Sequence, residues 1–156
     1  MTETSTPPSQ TTKLMTARFG EITIDPDKII TMTTPVPGFP ESHQFIMRPH
    51  DKESPFIWLQ SMDDPELAFI MISPTHLIPA YRPELPPAVM EELQIEEPQQ
   101  VELMVILTIP DGRLEDMTAN LLGPVALNPG KRLAKQVVLD PKIYDSRWQV
   151  LIEEDE

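Results

Sequence analysis

Residues 54–73 constrain the fold more than any other part of the chain. They read SPFIWLQSMDDPELAFIMIS, in which two apolar runs flank Asp63-Asp64-Pro65. Aromatic and β-branched runs of this length favour strands, and Asp-Asp-Pro favours a turn between them. The segment therefore predicts a β-hairpin, in which an Asp side chain accepts hydrogen bonds from nearby backbone N–H groups.

Short β segments of this kind recur along the chain, separated by turn-forming residues. The 19 prolines fall mostly between apolar runs, where they do not interrupt a strand. One helix is predicted at 86–94, because Pro86 and Pro87 suit a first turn. The predicted strands are 17–24, 28–33, 43–48, 55–60, 67–72, 101–109, 117–122, 124–128 and 134–139.

The strand at 101–109, VELMVILTI, is predicted to lie inside the sheet. Its two-residue period places five apolar residues on one face, and Met104 and Ile106 keep the other face apolar. Many short strands with a minor helix predict a mainly β fold, a small antiparallel β-barrel-like single domain with one or two short helices. Closure of the barrel removes exposed strand edges.

Both ends of the chain differ in composition from its middle. Residues 1–14 are rich in Ser, Thr and Pro and predict a disordered N-terminal tail, residues 15–148 the β domain, and residues 149–156 an acidic C-terminal tail. The first residues have no basic start and no apolar block, unlike a secretory signal. No apolar run approaches the roughly 18 residues of a membrane span. These features predict a cytoplasmic protein without membrane contact.

The chain is strongly acidic, with 25 Asp and Glu against 12 Lys and Arg and a net charge of −13. Unassisted binding to nucleic acid is therefore not expected, since that affinity comes mainly from cations. A basic partner is the natural complement, and solubility alone is the other explanation. The charge is uneven: 82–116 holds nine acids against two bases, whereas 131–147 holds five bases against two acids.

Few residues of the chain have the type and spacing that are typical of catalytic or metal-binding sites. The chain has no Cys, which excludes thiolate catalysis and Cys-based zinc sites. His43, His50 and His76 are scattered, and no metal or cofactor is predicted. Asp63 and Asp64 could be an acid/base pair of a small hydrolase, which is the alternative function. Adjacent strand residues point to opposite faces, however, and paired carboxyls must face each other.

A second polar group lies in Met117-Thr118-Ala119-Asn120-Leu121-Leu122. On a strand, Thr118 and Asn120 share one face. Asn is disfavoured in strands, so Asn120 indicates a bulge, a buried amide satisfied by the backbone, or an exposed recognition group. Asp63, Asp64, Thr118 and Asn120 are the predicted partner-binding residues, because they are polar groups set among apolar strands.

Several short segments, in this order and spacing, resemble the flagellar assembly factor FliW family over about residues 15–147. The matching pieces are Phe19-Gly20-Glu21-Ile22, Pro37-Gly38-Phe39, Ser54-Pro55-Phe56, Trp58-Leu59-Gln60-Ser61, Asp63-Asp64-Pro65, Leu67-Ala68-Phe69, Met117-Thr118-Ala119-Asn120-Leu121-Leu122 with Pro124, Asn128, and Gln136-Val137-Val138-Leu139. Tyr144 and Arg147 also suit the family's ending. The tail at 1–14 and the acidic end depart from the family pattern.

The resemblance implies a binding protein without enzymatic activity. Members of this family bind flagellin and the dimeric translational repressor CsrA, and free FliW relieves CsrA repression of flagellin synthesis. The resemblance thus implies flagellin and CsrA as partners, no direct contact with nucleic acid or membrane, and a monomer when free. It does not indicate which surface meets which partner.

Overall fold

The computed structural model describes residues 12–150, which contain eleven strands and one α-helix. The helix is α1 (Pro87–Glu92), and short 3-10 turns connect several of the strands. The strands are β1 (Thr12–Thr16), β2 (Gly20–Ile24), β3 (Ile30–Met32), β4 (Gln44–Pro49), β5 (Ile57–Ser61), β6 (Ala68–Ile72), β7 (Glu102–Thr108), β8 (Thr118–Ala119), β9 (Val125–Asn128), β10 (Leu133–Gln136) and β11 (Trp148–Gln149).

Seven strands close into a barrel. The order β7-β6-β5-β4-β3-β10-β9 returns to β7, because the start of β7 pairs with β9. The end of β7 pairs instead with β8, which in turn pairs with β11. The predicted mainly β, barrel-like fold is confirmed. One pair, β3 with β10, is parallel, so the barrel is not antiparallel throughout.

Apolar residues fill the inside of the barrel and also cover part of its outside. Phe45, Leu59, Met71 and Met104 belong to a buried interior cluster. A second cluster lies outside β6 and β7, and a third packs under α1. The alternation of inward and outward apolar side chains accounts for both layers.

β7 is buried on both faces, as its sequence predicts. Met104 and Ile106 pack with the interior cluster, whereas Val105 and Leu107 belong to the outer cluster. β7 also pairs with β6 on one edge and with β8 and β9 on the other. The segment 101–109 thus lies within the sheet, away from its free edges.

Two smaller elements cover the barrel. The antiparallel hairpin of β1 and β2 packs Ile22 and Ile24 against Ile46 of β4. α1 packs Val89 on the outer face of the sheet, and Glu92 at its end forms an ion pair with Lys135 of β10, at 2.9 Å. Within residues 12–150, none of the helices has the length and hydropathy that a membrane crossing requires.

Each of the nine predicted strands overlaps an observed strand, and the helix predicted at 86–94 is observed as α1. β1 and β11 were not predicted. Residues 12–14, assigned to the N-terminal tail, begin β1, because they pair with β2. Residues 149–150, assigned to the acidic tail, also belong to the fold, since Gln149 pairs with β8 and Val150 is buried. The rest of both predicted tails, 1–11 and 151–156, lies outside the described residues.

Candidate partner-binding surfaces

The turn between β5 and β6 is organised around a buried hydroxyl. Ser61, the last residue of β5, is fully buried. Its Oγ accepts hydrogen bonds from the backbone N–H groups of Asp63 (3.0 Å) and Asp64 (2.9 Å), and donates to the Oγ of Ser42 (3.1 Å). One side chain therefore satisfies two backbone donors of the turn and links it to the segment before β4.

Asp63 uses its carboxylate to hold β4 in place. Its Oδ2 accepts hydrogen bonds from the backbone N–H groups of His43 (2.7 Å) and Gln44 (3.0 Å). These bonds, from Gln44 first and then His43, lower the pKa of the Asp63 carboxyl below its ordinary value of 3.8. The predicted turn with an Asp accepting backbone hydrogen bonds is thus observed, and Asp63 remains exposed to solvent.

Asp64 is exposed, and its carboxylate accepts fewer hydrogen bonds than that of Asp63. Its Oδ1 accepts one bond, from the backbone N–H of Glu66 at 3.0 Å, within the turn itself. The two neighbouring carboxylates therefore serve different local contacts, and neither lines the large groove described below. That placement does not supply the facing carboxyl pair on which the hydrolase alternative depends.

Thr118 and Asn120 lie on and just after β8, and both are half-buried. Thr118 is opposite Thr108 of β7 and Gln149 of β11. The Oδ1 of Asn120 accepts a hydrogen bond from the backbone N–H of Gly123 at 2.8 Å. Asn120 thus shapes the loop that leads into β9, which is the structural explanation for an Asn at the end of a strand.

The strand register brings the four predicted residues to one end of the barrel. The turn holding Asp63 and Asp64 precedes β6, whose Ile70 is opposite Leu107 near the end of β7. Thr118 is opposite Thr108, at that same end of β7. β6 and β8 flank β7, so at about 4.8 Å per strand they lie about 10 Å apart. The two pairs share an end of the barrel, but each forms its own hydrogen bonds.

The acids of 82–116 form two groups, one at each end of β7. Two of the nine, Glu92 and Asp116, are half-buried and form ion pairs with Lys135 and Arg113. The other seven are exposed, and none forms an ion pair within residues 12–150. Five of these seven surround α1 and the start of β7 and are here named the acidic end: Glu84, Glu91, Glu96, Glu97 and Glu102.

A groove of about 1260 Å³ opens near the acidic end. It lies between the β4–β5 loop, the residues after β6, the start of α1 and the start of β7. Charges of both signs line it, among them Lys52, Arg82, Glu84 and Glu102. Within residues 12–150, no three His, Asp or Glu side chains come together in a way that could hold a metal ion.

A second surface, which was not predicted, lies on the outside of β4 and β5. The loop between β1 and β2 places Arg18 and Phe19 over the outer face of these strands, where Arg48, His50 and Trp58 lie. These five residues are here named the arginine–aromatic cluster. Trp58 lies on the outside of the barrel and is half-buried. Arg48 and Trp58 are opposite each other on β4 and β5, and a cross-strand pair of a cation and an aromatic residue was the available signal.

Comparison with known proteins identifies the family. The family model described as "FliW protein" matches residues 13–151. The "Flagellar assembly factor FliW" of Moorella thermoacetica is 36% identical over 141 residues, which cover 90% of this chain and 89% of that protein. The protein of the same name from Syntrophus aciditrophicus is 40% identical over 139 residues, covering 89% and 87% of the two chains.

The fold agrees with this assignment. A solved structure described as "Crystal structure of the flagellar assembly factor FliW" is similar to this chain with a TM-score of 0.82 and 38% sequence identity. The similarity covers 92% of this chain and all of the other. The match in sequence and in fold extends through the barrel, the β1–β2 hairpin and α1, and the chain belongs to the FliW family.

Proposed function

We propose that this chain is a cytoplasmic flagellar assembly factor that binds flagellin and CsrA and thereby relieves CsrA repression of flagellin synthesis. The observation that carries the proposal is the family match over residues 13–151. The protein acts as a monomer when free, without a cofactor and without catalysis. We infer that binding surfaces carry out the function and that no reaction centre is required.

Electrostatics supports CsrA as one partner. An RNA-binding repressor has an electropositive RNA path, and this chain has a net charge of −13. The five carboxylates of the acidic end have no ion-pair partners within residues 12–150. Docking of this surface near the RNA path lowers the potential along it, so RNA is excluded without occupation of the base-reading surface. The coupling must be reciprocal, and RNA weakens binding of this chain by the same factor.

Asp63, Asp64, Thr118 and Asn120 are proposed to contact a protein partner at their shared end of the barrel. The exposure of Asp64 and the half-buried position of Thr118 support this role. Asp63 and Asn120 contribute mainly by fixing the turn and loop that carry their neighbours, since their side chains accept backbone hydrogen bonds.

The first experiment is a pull-down of purified flagellin and purified CsrA with the full chain, followed by competition between them. We expect each protein to be retained, and flagellin to change the amount of CsrA retained. Retention of neither protein would overturn the proposed partners.

Two sets of variants then locate the contacts. Asp64→Asn and Thr118→Val test the shared end of the barrel, with Asp27→Asn as a control that removes one charge from another exposed turn. Combined Glu91→Gln and Glu102→Gln test the acidic end, with affinity for CsrA and for RNA measured across salt concentrations. RNA exclusion that is independent of salt would contradict the electrostatic mechanism and leave a steric one.

A further inference from the structure

The arginine–aromatic cluster contains a stack in which two adjacent aromatic rings lie between two arginines. The Arg18 guanidinium carbon lies 4.2 Å from the centre of the Trp58 ring, and that of Arg48 lies 4.8 Å from the Phe19 ring. The two rings meet edge to face, with their centroids 5.8 Å apart. The stack joins the β1–β2 loop to the outer face of β4 and β5.

Among the described residues, both arginines lack a carboxylate partner. Within residues 12–150 neither forms an ion pair, although the chain has 25 acids for 12 bases. A guanidinium stacked on a ring keeps its N–H edge for hydrogen bonding, because the ring contacts only its face. The cluster is therefore a local concentration of donors without an ion-pair partner in the described part of an otherwise acidic protein.

The positions of these groups are fixed before any partner arrives. Thr16 Oγ1 donates to the backbone oxygen of Gly20 (2.9 Å) and accepts from the backbone N–H of Phe19 (2.8 Å), which braces the loop carrying Arg18. The indole Nε1 of Trp58 donates to Nδ1 of His50 at 3.3 Å, which orients the ring on which Arg18 stacks. Preorganisation of this kind lowers the entropy cost of binding.

We propose that the arginine–aromatic cluster is a docking surface for an acidic segment of a protein partner. Partner carboxylates would accept hydrogen bonds from the guanidinium edges of Arg18 and Arg48, and an apolar partner side chain would pack beside the Phe19 and Trp58 rings. This binding role is additional to the proposed function, because a basic partner that binds the acidic end does not require the arginine–aromatic cluster. Charge complementarity selects the occupant: two unpaired cations, half-buried rings and no acid within the stack.

A nucleic acid is the other ligand that stacks on rings and pairs with arginine. The charges beside the cluster disfavour a nucleic acid, since Glu21, Asp51 and Glu53 are exposed acids within a few residues of the stack. A continuous phosphate backbone would pass close to these charges and to a protein of net charge −13. A short peptide needs to place only one or two carboxylates.

The experiment uses the full chain carrying Trp148→Phe, so that Trp58 is the sole remaining Trp of the two in the sequence. The probe is the blocked peptide Ser-Phe-Glu-Asp-Phe-Ser, which carries two carboxylates and is titrated while Trp58 fluorescence and peptide anisotropy are recorded. We expect saturable binding that perturbs Trp58, and about tenfold weaker binding for Arg18→Gln, as loss of one charge-assisted contact implies. Arg18→Lys keeps the charge but loses the planar edge, and we expect an intermediate affinity.

Matched controls separate docking from general charge. Arg113→Gln removes one exposed positive charge that is already paired with Asp116, and we expect no change in peptide affinity. A peptide with Gln and Asn in place of its acids should bind at least tenfold more weakly. Equal affinity for the two peptides, or an Arg18→Gln variant that folds and binds as tightly as the parent, would overturn the proposal. Displacement of the peptide by a uridine decamer of higher affinity would assign the surface to nucleic acid instead.

Discussion

The β5–β6 turn and the arginine–aromatic cluster both place charged side chains on the surface, but they use them in opposite ways. At the turn, Asp63 accepts two backbone hydrogen bonds, from the first residue of β4 and the residue before it, and Ser61 accepts two more from the turn. In the cluster, Arg18 and Arg48 lie against rings and form no ion pair within residues 12–150. The charge of the turn stabilises the fold, whereas the charge of the cluster remains unpaired.

The difference shows that exposure alone does not make a charged group available to a partner. Asp63 and Arg18 are both exposed. The pKa of Asp63 is depressed, because the N–H groups of Gln44 and His43 stabilise its charged form. The hydrogen bonds that a side chain already makes within its own chain decide what remains for binding. Substitutions in the two regions should therefore affect different measurements.

The largest effect is expected from Ser61→Ala. The substitution leaves the N–H groups of Asp63 and Asp64 without their acceptor and the Ser42 hydroxyl without its partner, at a fully buried position. We expect the free energy of unfolding to fall by about 3 kcal/mol, measured by urea denaturation. Ser54→Ala is the control, since its Oγ accepts one hydrogen bond, from Phe56, and should cost about 1 kcal/mol. Equal losses in the two variants would contradict the central role of Ser61.

The second largest loss of stability is expected from Asp63→Ala. It removes two charge-assisted hydrogen bonds to β4 from an exposed residue, and we expect a loss of about 2 kcal/mol in the free energy of unfolding. The neighbouring Asp64→Ala removes one bond within the turn and should cost about 0.5 kcal/mol. If Asp64→Ala proved as destabilising as Asp63→Ala, the link from the turn to β4 would not be the source of the stability.

The pH dependence of Asp63 gives a smaller and more specific effect. Because its folded pKa is lowered, the charged carboxylate contributes stability above the unfolded value of 3.8, and that contribution is lost as the pH falls through the folded pKa. The difference in stability between the parent and Asp63→Ala should therefore narrow from pH 7 to pH 3. The narrowing is smaller than the full loss of stability caused by the substitution, since a neutral carboxyl still accepts hydrogen bonds. A difference that stays constant over this range would show that the charge itself is unimportant.

The turn could be predicted from the sequence because its determinants are local. Asp63-Asp64-Pro65 between two apolar runs indicates a hairpin, and the two-residue period of 101–109 indicates a strand buried on both faces. These patterns rest on neighbours within a few residues. The bonds from Asp63 to His43 and Gln44 span about 20 positions and could not be derived from spacing.

The cluster as a whole could not be predicted, because it combines segments that are distant in sequence. Arg18 and Trp58 are 40 residues apart in sequence and meet only because the β1–β2 hairpin packs across β4 and β5. The sequence contains no local signal that a hairpin covers the outer face of β4 and β5. Likewise the parallel pairing of β3 with β10 depends on how the barrel closes, which no local pattern encodes.

The smallest expected effect on stability is that of Arg18→Ala, and it decides between two roles for the cluster. Arg18 is exposed, and an exposed cation–π contact contributes about 0.5 kcal/mol. We expect urea denaturation to register a loss of that size, while the affinity for the acidic peptide falls about tenfold. If the free energy of unfolding instead fell by about 2 kcal/mol or more, the stack would serve mainly to fasten the hairpin to the barrel. A docking surface requires the opposite pattern, because its unpaired donors stabilise the complex and contribute little to the free protein.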